Sequence, residues 1–124
     1  MANIVAAYPQ LFTTDMARWR DYYANKLGFA EVFMYGDPPF YGQVKRGAAV
    51  LNIRHVDALP FTGDARERDV LLSAYIETTE IAALFAAYDK AGVDFQERLS
   101  TKPWGRQEFV VRDPDGNLLS FAGV

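Results

Sequence analysis

The sequence lacks several residue types on which whole classes of protein depend. Its 124 residues contain no cysteine and only one histidine. Without cysteine, disulfides, thiolate metal sites and cysteine nucleophiles are excluded. No apolar run reaches the roughly 18 residues needed to cross a bilayer, and no basic leader precedes an apolar stretch near the N-terminus. We therefore expect a soluble, cytoplasmic protein with no membrane partner.

Positive charge is not in excess either. Lysine and arginine number 13 against 16 aspartate and glutamate, which gives a net charge of −3. Binding to phosphates needs a basic surface, so we expect no nucleic-acid partner. Half of the residues are apolar and 15% are aromatic, which excludes disorder. A chain of this length suits one domain that buries roughly two-thirds of its unfolded surface.

Helix caps and strand-like runs predict a complete α+β unit in the first half of the chain. Alternation favours a strand over residues 4–13, and Thr14-Asp15 forms a good helix N-cap. Apolar residues then recur at helical spacing until Gly28, which suits the position after a helix end. Further strands are predicted at residues 29–35, 40–45 and 48–55.

The second half repeats that order at a nearly constant offset. The cap residues Asp15 and Glu80 are 65 positions apart, and the terminal glycines Gly28 and Gly92 are 64 apart. Its strands are predicted at residues 70–78, near Phe95, at 107–112 and at 118–122. Each half is then a βαβββ unit. Because one such unit leaves a sheet face uncovered, two must pair within the chain or between chains.

These elements predict an α+β protein with a single domain over residues 1–124. Repeat one spans residues 1–56, a polar linker spans 57–69, and repeat two spans 70–124. A single mixed α+β sandwich is the alternative arrangement, and the repeat spacing favours two units.

Strand alternation separates residues under the helices from residues on the opposite face. Leu72, Ala74 and Ile76 are predicted under the second helix. The opposite face carries polar and aromatic side chains, namely Tyr8, Gln10, Asn52, Arg54, Ser73, Tyr75, Glu77 and Ser120. Such a mixture is typical of a small-molecule cleft, although a solvent-exposed antiparallel sheet shows the same alternation.

Residues 103–117, PWGRQEFVVRDPDGN, form the most specific segment. Its Asp-Pro-Asp-Gly-Asn run has the residues of a tight turn between two strands. Together with residues 9–15 (PQLFTTD) and 27–29 (LGF), it resembles the glyoxalase/bleomycin-resistance/dioxygenase (vicinal oxygen chelate) superfamily, and most of all its metal-free bleomycin-resistance proteins. The resemblance implies two βαβββ repeats that form a curved mixed sheet around a cleft.

Metalloenzymes of that superfamily carry one His, Glu or Gln ligand on each of four strands. By resemblance these positions fall on Tyr8, Asn52, Ser73 and Ser120, and none of these is a usual ligand for a transition metal. The only histidine, His55, has strand parity opposite to Asn52. We therefore expect no metal and no other cofactor, which by resemblance excludes the usual metal-assisted glyoxalase and dioxygenase reactions.

An enzyme remains the alternative. A lyase or isomerase could use Tyr8, Tyr75 or Glu77 as an acid or base. An atypical metal site is the other form of this alternative, although Glu77 and Glu108 alone would hold a hard cation poorly.

Two loops present aromatic side chains. Trp104 lies between a proline and a glycine, and Phe40-Tyr41 follow the turn residues 36–39. The resemblance implies that Trp104 and Phe40 stack on the flat part of a drug, which offset ring contacts would favour. It also implies a homodimer in which two subunits share the groove, with the first half of one chain against the second half of the other.

The sequence thus predicts a metal-free protein that sequesters a flat aromatic or cationic compound, such as an antibiotic, in a groove at a dimer interface. Its partners are a small-molecule ligand and a second copy of itself. The predicted ligand-binding residues are Tyr8, Phe33, Phe40, Tyr41, Asn52, Tyr75, Trp104, Gly105, Arg106 and Ser120.

Overall fold

The computed structural model describes residues 2–61 and 64–124. The first half contains β1 (Gln10–Thr13), α1 (Met16–Asp21), a π-helical turn (Tyr22–Lys26), β2 (Ala30–Tyr35), β3 (Tyr41–Arg46) and β4 (Ala49–His55). The second half contains α2 (Ala65–Arg68), β5 (Ala74–Glu77), α3 (Ile81–Lys90), β6 (Phe95–Thr101), β7 (Gln107–Arg112) and β8 (Leu118–Gly123). No helix in these ranges is long and apolar enough to span a membrane.

The strands form two four-stranded mixed sheets of the same topology. The first sheet has the order β1-β4-β3-β2 and the second has the order β5-β8-β7-β6. In each sheet the first strand runs parallel to the last, and the remaining pairs are antiparallel. The predicted α+β fold of two βαβββ repeats is confirmed.

Two predicted strands are shorter than expected. The first begins at Gln10 rather than residue 4, because Pro9 has no amide hydrogen to continue the ladder with β4. The strand predicted at residues 70–78 begins at Ala74. The preceding residues close the short helix α2 instead, and Val70 adopts a positive φ of 49° there. Leu72 was predicted under the second helix, and it is 42% exposed.

One hydrophobic core joins the two sheets. Trp19 of α1 stacks on Tyr23 with ring centroids 3.9 Å apart, and Phe109 stacks on Phe121 at 5.1 Å. Tyr88 of α3 donates a hydrogen bond to the carbonyl of Leu27 at 2.7 Å. Side chains from the helix-facing side of both sheets pack in this same cluster. We call the opposite side of each sheet its outer face, because it is turned away from the core.

The turn between β7 and β8 is held by a buried carboxylate. Asp113 Oδ1 accepts hydrogen bonds from the amides of Asp115 and Asn117, both at 2.9 Å. Its Oδ2 accepts from the hydroxyl of Tyr23, in the first repeat, at 2.7 Å. Burial raises the pKa of Asp113, and these donors oppose that shift. Gly116 provides the left-handed residue of the turn, with φ of 80°.

A second carboxylate of the same turn reaches the start of α1. Asp115 Oδ2 accepts from the hydroxyl of Thr13 at 2.6 Å. Its Oδ1 accepts from the amide of Thr14 at 3.2 Å and from the Arg18 guanidinium at 2.6 Å. The Asp115 side chain is fully buried, whereas that of Arg18 is 45% exposed, so only the carboxylate end of these charge-assisted bonds between the repeats is shielded from water.

Replacing Asp115 with Asn is expected to destabilise the protein. The substitution preserves shape but places an NH₂ donor against donors, and we expect the free energy of unfolding to fall by about 2–4 kcal/mol. Urea denaturation followed by circular dichroism measures the change. Asp89→Asn, which removes an exposed ion pair with Arg98, is the matched control and should stay within about 0.5 kcal/mol of the wild type. Equal effects of the two substitutions would contradict the role of this turn.

Candidate functional site

The outer face of the first sheet carries a row of amides beside an aromatic pair. The strand registers place Gln10, Asn52, Gln43 and Phe33 side by side across the four strands. Gln43 donates a hydrogen bond to the Asn52 amide oxygen at 3.0 Å. Phe33 contacts Tyr41 with ring centroids 5.9 Å apart. This face therefore offers neutral hydrogen-bonding groups next to ring surface.

The predicted aromatic loop lies at the edge of the same sheet. Phe40 packs edge-on against Tyr35 with ring centroids 5.5 Å apart. The two side chains are 44% and 66% exposed. Tyr8, just before β1, is also about half exposed at 48%. The structure thus places the predicted residues Tyr8, Phe33, Phe40, Tyr41 and Asn52 on or beside one sheet.

The second group of predicted residues lies on the outer face of the second sheet. Tyr75 of β5 is paired in register with Ser120 of β8, which is in turn paired with Val110 of β7. Ser120 is only 1% exposed and lies at the floor of this face, whereas Tyr75 is 49% exposed above it. A ligand on this face would meet the phenol before the serine hydroxyl.

A tight turn presents Trp104 at the edge of that face. The amide of Gly105 donates to the carbonyl of Lys102 at 2.9 Å, and the amide of Lys102 donates to the carbonyl of Arg106 at 2.7 Å. Gly105 has φ of 89°, a conformation that other residues rarely adopt. Trp104 is 66% exposed, yet its Nε1 donates to Glu108 Oε2 at 2.8 Å. The hydrogen bond orients an indole whose ring surface stays accessible.

Tyr75 donates to the same carboxylate oxygen. Its hydroxyl lies 2.9 Å from Glu108 Oε2. Partial burial and the neighbouring Glu108 carboxylate raise the pKa of Tyr75, which favours the protonated phenol that donates this hydrogen bond. Arg106, beside it, pairs with Glu77 at 3.3 Å. The predicted residues Tyr75 and Trp104 therefore share one buried carboxylate, and Gly105 and Arg106 follow Trp104 in the turn that precedes β7.

Sequence reasoning did not assign Glu108 to the ligand-binding set. The residue is 7% exposed, and it joins the two exposed rings of this face through hydrogen bonds. Strand parity places it on the same face as Val110, two residues later. This strand alternation was the only sequence signal that placed Glu108 on the outer face. That Trp104 and Tyr75 both bond its carboxylate depends on the turn at residues 102–106 and on the pairing of β5 with β8.

The four strand positions that resemblance implies for a metal do not form a suitable donor set. Tyr8, Asn52, Ser73 and Ser120 provide a phenol, an amide and two hydroxyls, whereas first-row metals favour imidazole, carboxylate or thiolate. Within residues 2–61 and 64–124, no group of three or more His, Cys, Asp or Glu side chains is arranged so that it could hold a metal ion. These residues do not fit a resident metal, so we derive no chemical step through one.

An open hollow of about 760 Å³ lies between the two repeats. It is bounded by the β3–β4 connection, by β5 and by α3, and its walls include the core residues Leu51, Tyr88 and Phe121. Of the predicted ligand-binding residues, it touches Tyr75 alone. Across the described residues, no side-chain hydrogen bond or ring contact joins the group on the first sheet to the group on the second.

The chain belongs to the Glyoxalase/Bleomycin resistance protein/Dioxygenase superfamily, whose sequence profile matches residues 5–121. That match covers both outer faces and the acidic turn that joins the repeats. A search of curated proteins found no match.

Solved structures of bleomycin-binding proteins are among those that resemble this fold. The bleomycin-binding protein from bleomycin-producing Streptomyces verticillus, complexed with copper(II)-bleomycin, is 26% identical, with a TM-score of 0.75 over 100% of this chain and 99% of that one. A bleomycin resistance determinant encoded on transposon Tn5 is 19% identical, with a TM-score of 0.78 over 97% and 98%. TioX from Micromonospora sp. ML1 is 20% identical, with a TM-score of 0.74 over 95% and 98%.

The different exposure of the two tryptophans gives a direct test of the site geometry. Trp19 is fully buried and Trp104 is 66% exposed, so acrylamide should quench mainly Trp104. We expect Trp104→Phe to abolish most of the quenchable fluorescence and to leave blue-shifted emission from Trp19. Tyr35→Phe, an aromatic change on the other sheet, should leave quenching unchanged. Undiminished quenching in Trp104→Phe would show that the indole is not accessible.

Proposed function

We propose that this protein binds and sequesters a flat aromatic or cationic small molecule, such as an antibiotic, without chemically changing it. The observation that carries the proposal is the exposed indole of Trp104, which a hydrogen bond to buried Glu108 holds in one orientation. Because this hydrogen bond already restricts the Trp104 side chain, little conformational entropy is lost when a ligand ring stacks on the face of the indole. The hydrogen bond from Tyr75 to Glu108, together with the raised pKa of Tyr75, supports a hydrogen-bond donor at this position.

The free energy needed for tight binding indicates that contacts from the second sheet alone do not suffice to hold a ligand. A dissociation constant near 1 μM requires about 8 kcal/mol. Stacking adds only about 0.5–1.5 kcal/mol per ring pair beyond the area buried. The remainder must come from enclosing the ligand on its other side. The aromatic and amide groups on the first sheet, around Phe33, Tyr41 and Asn52, are the surface suited to this task.

We propose that a homodimer brings these two surfaces together. Both outer faces are turned away from the shared core, and in the described residues no side-chain hydrogen bond or ring contact joins the two half-sites of one chain. A two-fold axis that places the first sheet of one chain over the second sheet of its partner creates two equivalent grooves. Exposed rings on both outer faces, Phe33 on the first sheet and Tyr75 on the second, would be covered in such a dimer.

The similarity to a bleomycin-binding protein at 26% identity over the full chain supports this class of ligand. Bleomycin and related flat antibiotics are therefore the first compounds to test.

Titration with bleomycin, phleomycin and mitomycin C is expected to give binding at micromolar or lower concentration for at least one drug, measured by calorimetry. Trp104→Ala should weaken that binding roughly 5–30-fold because stacking and burial are both lost. Trp104→Phe is the matched control, since it retains a ring, and it should lose less. The absence of binding by every flat aromatic compound tested would overturn the proposed function.

Mixing two defective chains tests whether the groove spans a dimer. Trp104→Ala damages the second sheet and Phe33→Ala damages the first, so each variant alone should bind weakly. If each groove combines sheets from two chains, refolding an equimolar mixture should restore full affinity to about one groove in four. Sedimentation should show a dimer throughout. A mixture that binds no better than either variant would place the whole site within one chain.

A further inference from the structure

Glu108 has a buried carboxylate in which only one of the two oxygens accepts hydrogen bonds from described residues. Both donors, the Trp104 indole and the Tyr75 hydroxyl, reach Oε2, at 2.8 and 2.9 Å. Within the described residues, Oε1 accepts no hydrogen bond, and it is not sealed from solvent. The residue as a whole is 7% exposed. One oxygen of this largely buried carboxylate therefore has acceptor capacity that no described side chain uses.

The cations nearby are engaged with other carboxylates. Arg106 pairs with Glu77 at 3.3 Å, and Lys102 forms a salt bridge with Glu97. Among residues 2–61 and 64–124, no basic group lies within 4.0 Å of the Glu108 carboxylate. A desolvated carboxylate gains most from a positively charged donor, because neutral donors compensate only part of its lost hydration. The negative charge at Glu108 is thus left for a ligand to neutralise.

The two rings beside Glu108 restrict the shape of such a ligand. Trp104 and Tyr75 are 66% and 49% exposed, and both donate to the same oxygen of the Glu108 carboxylate. Because the edge of the indole is bonded to Glu108, a flat ring stacked on the indole would lie close to this carboxylate. Stacking of a cation on Trp contributes roughly 0.5–2 kcal/mol, and a charge-assisted hydrogen bond contributes about 1.5–3 kcal/mol.

We propose that Glu108 makes this groove selective for planar aromatic molecules that carry a protonated nitrogen. The nitrogen donates to Glu108 Oε1 while the ring stacks on Trp104, and Tyr75 and Trp104 hold the carboxylate in place. This inference rests on the proposed function, because it requires that the groove bind a flat molecule. It adds that charge, and not ring surface alone, decides which flat molecule is retained.

Two dyes with the same ring system separate these requirements. At neutral pH, 9-aminoacridine is a cation and acridine is largely neutral. We expect the wild-type protein to bind 9-aminoacridine about tenfold more tightly or better, measured by calorimetry. Glu108→Gln should abolish that preference while leaving acridine affinity nearly unchanged. Glu31→Gln is the matched control, since it removes the same charge from an ion pair with Arg20 on the helix-facing side of the first sheet, away from the proposed groove. This variant should behave as the wild type.

The outcomes distinguish the two proposals. Equal affinity of the wild type for both dyes, or a preference that persists in Glu108→Gln, overturns the charge selection and leaves the binding function standing. Failure of both dyes and of the drugs above to bind overturns both. If Glu108→Gln does not fold, the side-chain carboxylate ¹³C signal of Glu108 in the wild type decides. It should shift on addition of 9-aminoacridine and not of acridine, and a signal unmoved by either dye overturns the inference.

Discussion

The arrangement of the whole molecule depends on one acidic turn that is buried between the repeats. Asp113 and Asp115 come from the second repeat, and Tyr23, Thr13 and Arg18 of the first supply their donors. Buried carboxylates without donors would be strongly unfavourable, so the turn and the first helix stabilise each other. This contact holds the helix-facing sides of both sheets in one core, with both outer faces turned away from it.

Much of the fold could be predicted because its signals are local. The cap Asp15, the glycines after two helices and the turn at 113–117 each act within a few residues, and the bounds of β7 were predicted correctly. The errors arose where tertiary contacts decide. Val70 has strand propensity, yet α2 docks through Arg66 on the Asp115 carbonyl at 3.3 Å, and the chain must turn at Val70 to reach β5.

The candidate site was predictable only in part, for a related reason. The Pro-Trp-Gly sequence indicated an exposed indole at Trp104, and strand parity placed Tyr75 on the outer face. Neither signal shows that both side chains reach Glu108, because that contact joins residues 33 positions apart through the pairing of β5 with β8. When a glutamate such as Glu108 occurs in a strand of alternating polar and apolar residues, the neighbouring sequence does not show whether its carboxylate contacts water, a cation or the donors of two aromatic side chains.

The two repeats close in unequal ways. The second repeat ends its last hairpin with the five-residue acidic turn, whereas β3 and β4 of the first meet at Gly47-Ala48, which makes no side-chain hydrogen bond to the other half in the described residues. The loop at residues 36–40 likewise takes no part in the side-chain hydrogen bonds of the acidic turn. Substitutions in the exposed aromatic loop of the first repeat can therefore accumulate while the acidic turn keeps the two repeats assembled.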